Sequence, residues 1–126
     1  MASGYVAEIT NSSSDFKGKA KLEMTTFTDC VGIDEMVQDT PLIISPDEWA
    51  MVHVTNERNK GDKEYDVMVI KDVDGTKYKT SSENFMNEFL RIYDIMKDED
   101  EDWAIKAIKK PSGNYAGKTF LTCAVC

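Results

Sequence analysis

Basic charge is scarce in this chain: 15 Lys and Arg stand against 23 Asp and Glu, a formal net charge of −8. So acidic a balance argues against tight, purely electrostatic nucleic-acid binding. Histidine is scarcer still, His53 being the single one. It sits in the apolar run Ala50-Met51-Val52-His53-Val54 with no nucleophile-and-base pattern beside it, so the chain reads as non-enzymatic. Long apolar runs are missing, and none approaches the roughly 18 residues of a membrane-spanning helix, so no membrane partner is expected. Met1 to Tyr5 lacks the basic region and apolar stretch of a signal peptide. Three cysteines is an odd number, which without a secretory signal suggests reduced thiols in a cytoplasmic protein, with no cofactor and no metal.

What is present suffices for one globular domain over residues 1–126, at 41% hydrophobic and 30% charged. The charge is unevenly spread. Asp98-Glu99-Asp100-Glu101-Asp102 is wholly acidic, whereas residues 103–126 carry Lys106, Lys109, Lys110 and Lys118 and no acid at all. Net charge is therefore a poor guide to any one surface.

The most legible stretch runs from Tyr65 to Tyr93. Tyr65-Asp66-Val67-Met68-Val69-Ile70 has the β-branched content of a half-buried strand. Asp74-Gly75 signals a hairpin turn of type I′, and Thr76 to Lys79 returns as the partner strand. Thr80-Ser81-Ser82-Glu83 has the form of a capping box with Thr80 as the cap. A helix over 82–97 follows, because Phe85, Met86, Phe89, Tyr93 and Met96 recur at spacings of three and four. Elsewhere, strands are expected at 5–10, 50–55, 103–109 and 119–125, with a helical turn or tight loop at 46–49. Cys30 to Val37 suggests a short helical turn and Pro41 to Ile44 a short strand. Phe16 to Met24 reads as a further strand, whose period of two would place Lys17, Lys19 and Lys21 on one face.

Three motif-like stretches fail on spacing. Gly117-Lys118-Thr119 lacks the glycine that a phosphate loop needs five positions earlier, where Ser112 stands, and a strand rather than a helix follows it. Aligning Gly75 on the glycine of a calcium loop puts Ile70 and Ser81 at the end ligand positions. Cys123 and Cys126 form a C-x-x-C, yet in a strand they would face opposite ways.

Aromatic rings interleaved with lysines do stand out. Phe16 adjoins Lys17, Tyr65 lies close to Lys63, Tyr78 is flanked by Lys77 and Lys79, and Tyr115 is near Lys118. Single-stranded nucleic acid is held by this pairing, with rings stacking on bases while ammonium groups follow phosphates. The candidate contacts are Lys17, Lys19, Lys21, Arg58, Lys60, Lys63, Lys77 and Lys79 for phosphates, and Phe16, Tyr65 and Tyr115 for stacking.

The order of elements fits a mainly β fold with one helix, a five-stranded OB-like Greek-key barrel carrying its helix between strands 3 and 4. The second half, roughly residues 64–124, resembles the small single-stranded-DNA-binding proteins of phages and mobile elements of Gram-positive bacteria. The stretches that carry the resemblance are Tyr78-Lys79-Thr80-Ser81-Ser82-Glu83-Asn84-Phe85 and Asn114-Tyr115-Ala116-Gly117-Lys118-Thr119-Phe120-Leu121-Thr122-Cys123. It implies an OB-fold that coats single-stranded DNA with little sequence preference in phage or mobile-element DNA replication, often as a homo-oligomer. It departs from that family's pattern in placing its acids internally instead of in a C-terminal tail that recruits replication proteins. The alternative reading is a small acidic protein that binds and inhibits a host protein, a nuclease or defence enzyme, with Asp98–Asp102 imitating phosphates.

Overall fold

The computed structural model describes residues 5–37, 40–56, 64–111 and 119–126. Its order is β1 (Tyr5–Ser12), α1 (Lys19–Met24), β2 (Val31–Gly32), α2 (Ile33–Met36), β3 (Leu42–Ile44), β4 (Pro46–Asn56), β5 (Glu64–Asp72), β6 (Lys77–Thr80), α3 (Glu83–Met96), β7 (Ile105–Pro111) and β8 (Thr119–Val125). The chain is mainly β. Its described strands pair as a five-stranded sheet, β1-β4-β5-β6-β2, and a three-stranded sheet, β3-β7-β8, both open. Among the described residues no helix is long and apolar enough to cross a membrane.

The β4–β5 pair is the centre of the larger sheet and is apolar on both faces. One face carries Trp49, Met68 and Ile70 toward α3 and the inner side of β7 and β8. There Phe85 and Phe89 stack with centroids 6.4 Å apart, and Trp49 meets Phe89 and Tyr93 edge-on at 5.8 and 5.1 Å. The other face carries Ala50, Val52, Val54, Val67 and Val69 beneath Phe16 and Met24. Val67 to Ile70 are consequently all buried, where sequence patterning suggested a half-buried strand. Covering both faces explains why this run lacks polar alternation.

The cover on that second face is α1, and it corrects the reading of Phe16–Met24 as a strand. Lys19-Ala20-Lys21-Leu22-Glu23-Met24 is built wholly of strong helix formers. Gly18, at φ 60°, turns the chain into it, a conformation that side-chain-bearing residues resist. Over six residues, alternation and helical spacing are hard to tell apart, and propensity decides.

Local differences elsewhere have simple causes. Positive φ occurs at Gly75 (94°) but at no described non-glycine residue, which excludes the type I′ turn. Gly75 N–H instead donates to Asp72 O and Asp72 N–H to Thr76 O, both at 2.8 Å. This is a three-residue loop that closes on a left-handed glycine. The cap of α3 is Ser82, whose Oγ accepts from Phe85 N–H at 3.2 Å. Thr80 is still paired with Met68 in β6, so it cannot cap the helix. Pro46 to Trp49 begins β4 with a bulge instead of a helical turn, and the first residue of a strand is a position that proline tolerates.

Candidate nucleic-acid interface

The sequence candidates scatter. Lys17 pairs with Asp15 at 3.3 Å, while Lys19 and Lys21 are exposed on α1. Two helical residues apart is about 200° around the axis, so Lys19 and Lys21 do not share a face, and Lys17 lies before the helix. Phe16 is 8% exposed and belongs to the core beneath the larger sheet, so its ring is not free to stack on a base. Lys77 is 6% exposed. Its Nζ donates to Glu23 O at 2.7 Å and Thr26 O at 3.3 Å, and meets Asp29 Oδ1 at 2.8 Å. Lys77 is a tether for the end of α1, and β-sheet alternation explains why it faces inward beside Lys71, itself paired with Glu23 at 2.8 Å. Arg58, Lys60, Lys63 and Tyr115 lie outside the described residues.

Tyr65 and Lys79 do come together. With Phe27, Asp34, Glu35 and Thr80 they line an open pocket of about 460 Å³. The pocket forms where β6 stops at Thr80, opposite Met68, while β5 continues back to Glu64. Residues 64–67 therefore pair with β4 on one edge and with no described strand on the other. Thr80 Oγ1 donates to Asp34 Oδ1 at 2.8 Å, and Lys109 Nζ donates to Asp34 O at 2.9 Å, fixing α2 over this corner. Ser82 Oγ donates to Leu121 O at 3.1 Å, tying the start of α3 to β8.

A second surface went unrecognised in the sequence. On the three-stranded sheet Ile44, Ile105, Ala107, Leu121 and Cys123 face the core. Alternation sends Ile43, Lys106, Ile108, Lys110, Phe120 and Thr122 to the outer face, and none of these belongs to either core. Lys110 is registered against Phe120, Ile108 against Thr122, and Ile43 against Lys106. No strand of this sheet contains an acid. The signal was in the sequence, as the acid-free stretch combined with the alternation of Ile105 to Lys110.

His53 and the buried Cys123 are not part of this outer face. His53 Nδ1 is 2.9 Å from Asp66 Oδ1 and its Nε2 3.2 Å from Glu64 Oε1. Asp66 first and Glu64 second hold its pKa above the ordinary 6.5. Burial, helped by the charge of Glu88, pushes the Cys123 thiol up to about 12, with Sγ 3.7 Å from Phe85 O, whereas Cys126 is exposed. Among the described residues no three His, Cys, Asp or Glu side chains are grouped to hold a metal. Compared with known proteins, the chain matches no family model, no curated protein and no solved structure.

Proposed function

We propose that this is a non-enzymatic domain that binds single-stranded DNA with little sequence preference, through the outer face of β3-β7-β8. The observation that carries the reading is Phe120 beside Lys110 on an acid-free sheet face that neither core includes. A ring at that position offers a stacking platform, with Lys110 beside it and Lys106 further along β7, opposite Ala124, as phosphate contacts. At about 3.3 Å per residue the two lysines stand roughly 13 Å apart, a span of about two nucleotides. Relation to the OB class is part of the proposal, supported by α3 lying between the β5–β6 hairpin and two closing strands. The resemblance of residues 64–124 points the same way and implies the replication of mobile DNA as the setting.

Fluorescence anisotropy of a labelled single strand and the matching duplex, over a salt series, tests this. The two lysine–phosphate contacts give a slope of log affinity on log salt of about −1.4 for the single strand. Phe120→Ala weakens binding on the order of tenfold, the loss of one stacked base. Equal affinity for duplex, or a Phe120→Ala variant that binds as the parent does, refutes the assignment. One observation favours the protein-inhibitor reading: Asp98 to Asp102 are all exposed and without an ion pair among the described residues. Neutralising that run separates the two, since it should abolish inhibition but leave or improve DNA binding.

A further inference from the structure

We infer that the pocket lined by Tyr65, Lys79 and Glu35 is a base-selective subsite that takes guanine. The inference rests on the strand-binding reading above for the strand that presents the base. Its size of about 460 Å³ falls within the ~300–1,000 Å³ of small-molecule sites, ample for one nucleotide. Phe27 and Tyr65 give it aromatic walls, and the edge of β5 at residues 64–67, which no described strand pairs, offers it main-chain donors and acceptors.

The charges in the pocket narrow the ligand. Asp34 and Glu35 disfavour a phosphate at that end, so the group meeting them should be a donor. Asp34 has only Oδ2 open, because its Oδ1 accepts from Thr80 and its main-chain oxygen from Lys109, so it is not placed to accept two parallel bonds. Glu35 has no hydrogen bond or ion pair among the described residues and remains as the free acceptor. Its Oε1 lies 3.1 Å from where a Cβ on Gly32 would stand, so the glycine leaves the room that the carboxylate occupies. A carboxylate accepts two parallel hydrogen bonds. Guanine alone offers two adjacent donors, N1–H and the N2 amino group. Cytosine and adenine set one amino group beside a repelling acceptor, and thymine sets one N–H between two carbonyls. Lys79, with no ion pair among the described residues, supplies the cation for the adjoining phosphate. Lys109, next to Lys110 in β7, bonds Asp34 O and so ties the end of β7 to this corner, although its side chain alternates to the face opposite Lys110.

The test uses the full chain and fluorescence anisotropy. Three labelled oligomers are compared: oligothymidylate, the same oligomer with isolated guanines, and one with hypoxanthine in the guanine positions. Guanine should bind about tenfold tighter than oligothymidylate, the scale of one bidentate base contact. Hypoxanthine, which lacks the N2 amino group, should lose most of that gain, and Glu35→Gln should bring the guanine-to-thymine ratio close to one. Equal binding of the guanine and thymine oligomers overturns the inference, as does a preference that Glu35→Gln leaves intact. If no oligomer binds at low salt, the strand-binding reading fails by itself. Guanosine monophosphate titrated into isotopically labelled protein then decides the pocket. Shifts centred on Tyr65, Lys79 and Thr80 uphold it as a site for the free nucleotide, and no shifts there end it.

Discussion

Replacing Lys77 by methionine separates a structural lysine from a phosphate contact. Methionine keeps most of the apolar stem and deletes the ammonium group. Two main-chain acceptors, Glu23 O and Thr26 O, lose a charged donor at 2.7 and 3.3 Å. Asp29, whose side chain is 64% exposed, is left out of the sum because water replaces its partner. Hydrogen bonds to a charged group are worth about 1.5–3 kcal/mol each, and both carbonyls regain some hydration when α1 loosens. The expected loss is therefore about 3 kcal/mol, on the order of 10 °C in Tm for a domain of this size. Urea unfolding followed by tryptophan fluorescence measures it, since Trp49 lies within the core. A phosphate-contacting lysine behaves oppositely, leaving stability within about 0.5 kcal/mol of the parent while the single-strand salt slope falls by about 0.7. That outcome would refute the tether.

Three further outcomes are expected. Ser82→Ala should cost about 1 kcal/mol and speed amide exchange at Phe85, whereas Thr80→Ala should leave exchange at Phe85 unchanged. The raised pKa of His53 means that its stabilising contribution is fully present below pH 6.5 and is lost as pH rises through the higher folded value. A His53→Gln variant should lack that fall in unfolding midpoint, and an imidazole titration at or below 6.5 would contradict the contacts with Asp66 and Glu64. At about pH 8 a disulfide reagent should modify the exposed Cys126 quickly and Cys123 only on unfolding. Fast reaction at both would show that Cys123 is not held in the core.

The elements that could be read from sequence are those fixed by their own neighbours. α3 was legible because its apolar spacing extends over four turns and one cap suffices to start it. The β5–β6 hairpin was legible because Gly75 is needed for its left-handed position. What was missed depends on distant partners. Nothing near Lys77 says that the carbonyls of α1 will stand over it, and nothing near Val67 says that both faces of β5 will be covered. The pocket has the same character, since Phe27, Glu35, Tyr65 and Lys79 meet only when β2 pairs in parallel with β6. The outer face of β7 and β8 was the exception. Its alternation is local, as is that of Lys17, Lys19 and Lys21, but the latter run is too short for alternation to outweigh helix propensity.

The registration of Tyr5 against Asn56 bears on how the chain is made. During synthesis β1 emerges before β4 and waits, without its partner edge, until all of β4 has left the ribosome. For that interval it is an unsatisfied strand of the kind that recruits other chains. Glu8 interrupts its apolar residues, and Thr10, Asn11 and Ser12 end it in a polar run, which makes the waiting strand a poor seed for aggregation. The β5–β6 hairpin and α3, whose contacts are short in sequence, can form while they emerge and offer β4 a template. The edge strand should accordingly be the last part of the larger sheet to gain protection in pulsed hydrogen exchange, although it is synthesised ahead of its partner β4.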